Sequence, residues 1–277
     1  MKNEIKRVIQ YILHGIPIHK ITANIYQLAP NESLKGKRII ITGGSRGLGF
    51  YIAQKCIAEG ANVLITGRDE KTLKAASSKL NNCEYLAFDV SQISKIPFFF
   101  QQAQNLLGGT IDCLVNNAGI SLHEGNYKNV TLDSFDLQLS INLKAPYFIS
   151  QEYLNQIELN GLNNGSIIFI TSERGLYGDD IPYGLIKASI NKLTQGLARR
   201  VLNKGIRVNA VAPGVTASEM TGYKREENLY RPQACGKRVF LPEEVAETVC
   251  FLLSDAAKCI SGEIIACDQG NYLRSDW

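Results

Sequence analysis

The run Ile39-Ile40-Ile41-Thr42-Gly43-Gly44-Ser45-Arg46-Gly47-Leu48-Gly49-Phe50 decides the fold. It begins as a short aliphatic strand, passes through a glycine-spaced turn and opens a helix-compatible stretch that continues to Glu59. Glycines in such a turn let backbone N–H groups come close to a pyrophosphate, and the helix N-terminus adds positive potential. A glycine-rich stretch by itself also serves as a plain strand-to-helix turn. Its place between a strand and a helix favours a dinucleotide site. Thr42, Gly43, Ser45, Arg46, Gly47, Leu48 and Gly49 are its candidate contacts.

Further β-rich runs follow at 62–65, 84–88, 111–115, 166–170, 206–211 and 263–266, separated by stretches long enough for crossover helices. Apolar strands of this kind predict an α/β fold: a Rossmann-like, doubly wound parallel sheet of about seven strands with helices on both faces. No repeat or biased linker divides it, so residues 36–277 read as one dinucleotide-binding catalytic domain. Residues 1–35 precede it. Within them Ile5, Val8, Ile9, Ile12, Leu13 and Ile16 recur at helical spacing, and Ile21, Ile25 and Leu28 continue the stripe after Pro17. This predicts an amphipathic helical extension, packed on the domain or a neighbouring subunit in preference to a membrane surface. Residues 214–240 are polar and contain proline, the mark of a lid or binding segment.

The chain has 277 residues, 45% of them hydrophobic and 20% charged, with a net charge of +4. So mild and dispersed a charge argues against a nucleic-acid partner. No apolar run is long enough to span a bilayer. The first residues lack the pattern of a secretory signal, and a cytoplasmic location is expected. Cys56, Cys83, Cys113, Cys235, Cys250, Cys259 and Cys267 are odd in number and form no C-x-x-C pair, so they read as reduced core thiols. His14, His19 and His123 have no ligand spacing, and no metal is expected.

The second strand run ends Ile65-Thr66-Gly67-Arg68-Asp69. An NAD site places an acidic side chain at such a strand end to take the ribose 2′-OH. Gly67 leaves the place open, and Arg68 suits a 2′-phosphate, with Arg46 as a second partner. NADP is therefore expected over NAD. Ser172 follows the fifth strand run, and Tyr183 and Lys187 stand four apart, on one face of the next helix. A free tyrosine titrates near roughly 10. A lysine ammonium beside it is expected to lower that value and make it a usable general acid–base. Ser172 would hold the substrate oxygen. Tyrosine and lysine at this spacing are common on solvated helix faces, so the pair alone carries little.

Together these residues resemble the short-chain dehydrogenase/reductase family, in its compact single-domain form. Thr42 to Gly49 match its T-G-x-x-x-G-x-G pattern, Asp89-Val90 its adenine-contacting pair, and Asn116-Asn117-Ala118-Gly119 its N-N-A-G motif. Asn142, Ser172, Tyr183 and Lys187 match its catalytic tetrad, and Val208 to Gly214 the strand and turn that approach the nicotinamide. The resemblance implies cofactor contacts from Asn116, Ala118, Gly119, Tyr183, Lys187, Pro213, Gly214, Val215, Thr216 and Ser218. It also implies that Lys187 binds the nicotinamide ribose and, with Asn142 and a water, relays protons to Tyr183. The implied activity is NADP-dependent interconversion of a carbonyl and a secondary alcohol. The nearest pattern is that of 3-oxoacyl-[acyl-carrier-protein] reductases, with sugar, polyol and steroid dehydrogenases as alternatives, and a non-catalytic cofactor sensor as the reading of another class. A small carbonyl or alcohol substrate, free or carrier-bound, and a homotetramer or homodimer joined through the helices after Asp133 and Tyr183 are further implications. Ile190, Leu193 and Leu197 on the latter fit either an interface or packing on the sheet. Two departures concern the substrate. Ser172 and Tyr183 lie eleven apart, shorter than in many relatives, and Ile186 precedes the lysine where serine is usual.

Overall fold

The computed structural model describes Lys6 and residues 31–273, so the extension predicted over residues 1–35 lies, Lys6 and residues 31–35 apart, outside the described residues. Strands β1 (Arg38–Thr42), β2 (Asn62–Gly67), β3 (Cys83–Ala87), β4 (Cys113–Asn116), β5 (Gly165–Ile170), β6 (Ile206–Pro213) and β7 (Ile264–Cys267) follow the predicted runs closely. They form one parallel sheet in the order β3-β2-β1-β4-β5-β6-β7. The helices between them are α1 (Gly47–Ala58), α2 (Glu70–Leu80), α3 (Ile96–Leu107), α4 (Leu132–Leu139), α5 (Ala145–Leu159), α6 (Pro182–Arg200) and α7 (Pro242–Leu253).

Strand side chains alternate between the two faces, and the core divides accordingly. Ile39, Ile41, Val63 and Ile65 pack with α1, α2 and α7, whereas Ile40, Leu64, Leu114 and Phe169 pack with α3, α5 and α6. Ile190, Leu193 and Leu197 lie on the second side, so that stripe packs on its own sheet. The chain reverses its direction of travel across the sheet between β1 and β4. This leaves a crevice at the carboxyl ends of the strands, the usual place for a ligand in open α/β sheets.

Local sequence explains several boundaries. Asp69 Oδ1 accepts the Thr72 N–H at 2.7 Å and caps α2, while Thr131 and Ser134 form a reciprocal capping box at α4. Proline stands in the first turn of α3, α5, α6 and α7, where its missing N–H is no loss. A π-helical turn, Ser140–Lys144, joins α4 to α5.

Residues 214–240 form a flap, pinned by a parallel bridge between Thr216 and Phe240 and an antiparallel one between Tyr230 and Arg238. Leu34, within the stretch that precedes the first strand, is wholly buried in the core, and its N–H donates to the Glu59 carbonyl at 2.9 Å. Cys56, Cys83, Cys113 and Cys250 are buried, but Cys235 and Cys259 are exposed and so are not core thiols. No helix among the described residues is long and apolar enough to cross a membrane.

Candidate active site

The glycine loop is held from behind. Gly43 and Gly47 have φ of 67° and 53°, the left-handed region that glycine enters without strain. A Cβ on Gly44 would come within 2.5 Å of Ile65 Cγ2, and one on Gly49 would overlap the Gly43 carbonyl. The turn is therefore pressed onto β2 and against its own helix. Thr42 Oγ1 accepts the N–H groups of Asn117 and Ala118, each at 3.0 Å. Asn117 Nδ2 donates to the carbonyls of Thr42 and Gly43, at 2.9 and 3.0 Å.

A cavity of about 1520 Å³ opens along the carboxyl ends of the strands. Gly43, Ser45, Arg46, Gly47 and Leu48 line it, as do Arg68, Asp89, Val90, Ala118 and Gly119. Ser172, Tyr183 and Lys187 form another part of the wall, with Pro213, Gly214, Val215, Thr216 and Ser218 from β6 and the flap. Four predicted site residues stand outside this wall: Thr42, Gly49, Asn116 and Asn142. Thr42 and Gly49 shape the loop instead. Asn116 is buried, with Nδ2 donating to Ser150 Oγ of α5 at 3.0 Å. Its neighbour Asn117, not singled out from the sequence, lines the cavity and staples the loop. Alternation at the strand end sends the two asparagines opposite ways, but the motif alone does not say which goes where.

At the β2 end of the cavity, Asp69 is engaged as the cap of α2, leaving Gly67 and Arg68 at the wall. Arg46 Nη1 meets Glu219 Oε2 of the flap at 2.7 Å, both side chains largely exposed. Asp89 Oδ1 accepts the Ser91 N–H and O–H at 2.9 and 2.8 Å.

At the other end, Lys187 is buried and its Nζ donates to the Ile170 carbonyl at 2.8 Å, 5.6 Å from the centre of the Tyr183 ring. Burial lowers the Lys187 pKa to about 8. Tyr183 differs from the sequence expectation. Burial pushes its phenol upward, and this outweighs the opposing effects of a hydrogen bond with Ser172 and the positive charge of Arg174. A tyrosine raised in this way holds its proton at neutral pH and suits the role of an acid. Ser172 Oγ accepts the Arg174 N–H at 3.2 Å.

Asn142 sits in the π-helical turn, a kind of irregularity frequent at functional sites. Its Oδ1 accepts the Ile120 N–H and its Nδ2 donates to the Ile120 carbonyl, both at 2.8 Å. A Cβ on Gly119 would lie 3.2 Å from Asn142 Oδ1 and 3.7 Å from Lys187 Nζ. Asn142 thus fixes the segment after β4 that separates it from the lysine. Arg174, Tyr177 and Asp179, with Arg231 from the flap, complete the cavity between Ser172 and Tyr183; the sequence assigns none of them an individual role.

The geometry agrees with what this chain resembles. A family model described as enoyl-(acyl carrier protein) reductase matches residues 43–271. The 3-oxoacyl-[acyl-carrier-protein] reductase FabG of Aquifex aeolicus is 32% identical over 248 residues, covering 86% of this chain and 98% of the relative. A 3alpha-hydroxysteroid dehydrogenase of Mediterraneibacter gnavus is 34% identical over 248 residues, covering 85% and 96%. A solved structure of a short chain dehydrogenase/reductase family protein is 29% identical with a TM-score of 0.77, covering 87% of this chain and 100% of that one. The chain belongs to the short-chain dehydrogenase/reductase family, and is an oxidoreductase of carbonyl and CH–OH groups.

Proposed function

We propose that this protein is an NADPH-dependent carbonyl reductase with Tyr183 as its proton donor. The observation that carries the reading is one cavity with Gly67 and Arg68 in its wall together with Ser172, Tyr183 and Lys187. The low glycine turn fits a dinucleotide, because Gly44 and Gly49 leave no volume for side chains where the loop closes on itself. A reduced nicotinamide bound there supplies the hydride. Tyr183 gives its proton to the carbonyl oxygen as the carbon gains hydride, and Ser172 holds that oxygen by a hydrogen bond. Lys187 stays fixed by the Ile170 carbonyl, binds the ribose, and returns a proton to Tyr183 through water, while Asn142, its amide taken up by Ile120, holds the intervening segment. The 2′-phosphate is taken by Arg68, with Arg46 released from Glu219 as a second partner.

The substrate is a small carbonyl compound, a carrier-bound 3-oxoacyl group being the first reading. The similarity to a steroid dehydrogenase favours a second, an oxosteroid substrate on the same machinery. A non-catalytic cofactor sensor is disfavoured because Asn142, Ser172, Tyr183 and Lys187 are all in place. We further propose a cytoplasmic homotetramer or homodimer, with residues 36–277 as its catalytic domain and 1–35 as an extension. Exposed apolar side chains on α4 and α5 (Leu132, Phe135, Leu137 and Tyr147) support assembly through that side.

The test is cofactor oxidation against 3-oxoacyl thioesters, keto sugars and oxosteroids, each with both reduced nicotinamides. Turnover of at least one class with preference for NADPH is expected. Preference for NADH would overturn the cofactor assignment, and no turnover with any class would overturn the enzyme reading.

A further inference from the structure

Of the ten residues between Ser172 and Tyr183, Arg174 alone carries positive charge, and its guanidinium lines the cavity. Arg174 is gripped along one edge, with Nε 2.6 Å from Asp179 Oδ2 and Nη2 2.7 Å from Asp179 Oδ1. The Asp179 side chain is only 3% exposed and packs against Gly184, where any Cβ would overlap its carboxylate. An arginine carries five N–H donors, and this fork uses two. The Nη1 edge has no partner among the described residues, and the side chain is 38% exposed in a cavity wall.

Arg231 lines the same cavity from the flap, half-buried, and its guanidinium has no hydrogen bond or ion pair among the described residues. Two of the three negative groups nearby are taken up by the protein. Asp179 is bound to Arg174. Glu173 is buried, accepts from Asn271 Nδ2 at 2.9 Å and has its charged form disfavoured by burial. Asp180 is exposed and accepts the Tyr127 N–H at 3.2 Å. Open toward a ligand at this end are guanidinium groups from two segments of the chain, with the exposed Asp180 carboxylate at the rim.

We propose that the substrate is a carbonyl compound bearing a carboxylate, and that the open guanidinium groups of Arg174 and Arg231 bind that carboxylate while the carbonyl lies against Tyr183. The inference rests on the carbonyl-reductase reading and puts a free oxo acid in place of the carrier-bound 3-oxoacyl group as the first substrate class. A guanidinium pre-oriented by a buried carboxylate forms planar, charge-assisted hydrogen bonds at little further ordering cost. Arg174 and Arg231 are thus specificity-determining residues.

The experiment compares matched pairs with NADPH: 3-oxobutanoate against its ethyl ester, and 4-oxopentanoate against its methyl ester. The wild-type enzyme is expected to show kcat/KM at least about tenfold higher for the acid of a pair, the scale of a charge-assisted hydrogen bond. In Arg231→Gln and Arg174→Gln that ratio falls toward one, and Arg231→Lys retains part of it. Folding of each variant is checked by NADPH binding. A second readout needs no turnover: butanedioate, in the presence of NADPH, raises the melting temperature of the wild type more than that of Arg231→Gln. Equal or ester-favouring turnover in the wild type would overturn the proposal, as would an acid preference that survives both glutamine variants. Turnover of a neutral sugar or steroid with neither acid reduced would also overturn it, leaving the reductase reading intact. If no carbonyl is reduced at all, the reductase reading fails and this inference with it.

Discussion

Lys187 stands where burial and function pull against each other. The unfolded chain keeps the lysine proton up to pH 10.5, whereas the fold releases it near 8. Between those values the unfolded state binds more protons, so stability rises with pH across that window, and below it the burial cost is felt in full. Compared with Lys187→Met, which lacks this titration, the wild type should gain about 3 kcal/mol of unfolding free energy from pH 8 to 10.5. Urea melts of both proteins across that range would show it; a constant difference would place the lysine near its ordinary pKa. Arg68 carries the second prediction at this scale. Asp69 is committed to capping α2, so no acidic side chain competes at the strand end. Arg68→Asp should remove the phosphate partner, supply a hydroxyl acceptor and reverse preference toward NADH, read as the ratio of kcat/KM for the two cofactors. An unchanged ratio would remove Arg68 from the cofactor site.

At the scale of elements, the side chains of Thr42 and Asn117 tie the loop between β1 and α1 to the end of β4. Asn117 Nδ2 bonds two successive carbonyls, Thr42 and Gly43, and ties the phosphate loop to the end of β4. Asn117→Ala leaves both without that donor, at a cost of roughly 1–3 kcal/mol. It should weaken NADPH binding about tenfold or more in a fluorescence titration; wild-type affinity would show that the loop holds its shape without the staple. The strands and the loop were legible in the sequence because aliphatic runs and glycine spacing are local signals. The catalytic constellation was legible only jointly, since Tyr183 and Lys187 acquire meaning from Ser172, which another element brings to them. The Asn117 staple, the π-helical turn around Asn142 and the Arg174–Asp179 fork were not legible. Each depends on which way a side chain turns after the chain has packed, and no periodicity records that. The upward push on Tyr183 was missed for a related reason: the i, i+4 spacing shows the lysine, but desolvation is a property of the whole cavity.

At the scale of the molecule, the catalytic core and its surroundings are separable claims. Deletion of residues 1–30 tests the sequence expectation that the apolar stripe Ile5, Val8, Ile9, Ile12, Leu13 and Ile16 packs on protein in preference to a membrane surface. The deletion should lower the melting temperature or dissociate the oligomer in sedimentation, with Tyr183 chemistry retained. Unchanged melting and assembly, with loss of binding to lipid vesicles, would assign the stripe to a membrane surface. The Ile190, Leu193 and Leu197 stripe packs on the sheet, and on the proposal of assembly through α4 and α5 Phe135→Asp with Tyr147→Asp should yield monomers. The most direct test of the central claim is single-turnover reduction of the best carbonyl substrate by Tyr183→Phe, alongside its NADPH dissociation constant. Loss of a general acid typically removes roughly 10²–10⁴-fold in rate. A loss of that size with cofactor affinity near that of the wild type is the predicted result; a near-normal rate would contradict Tyr183 as the proton donor.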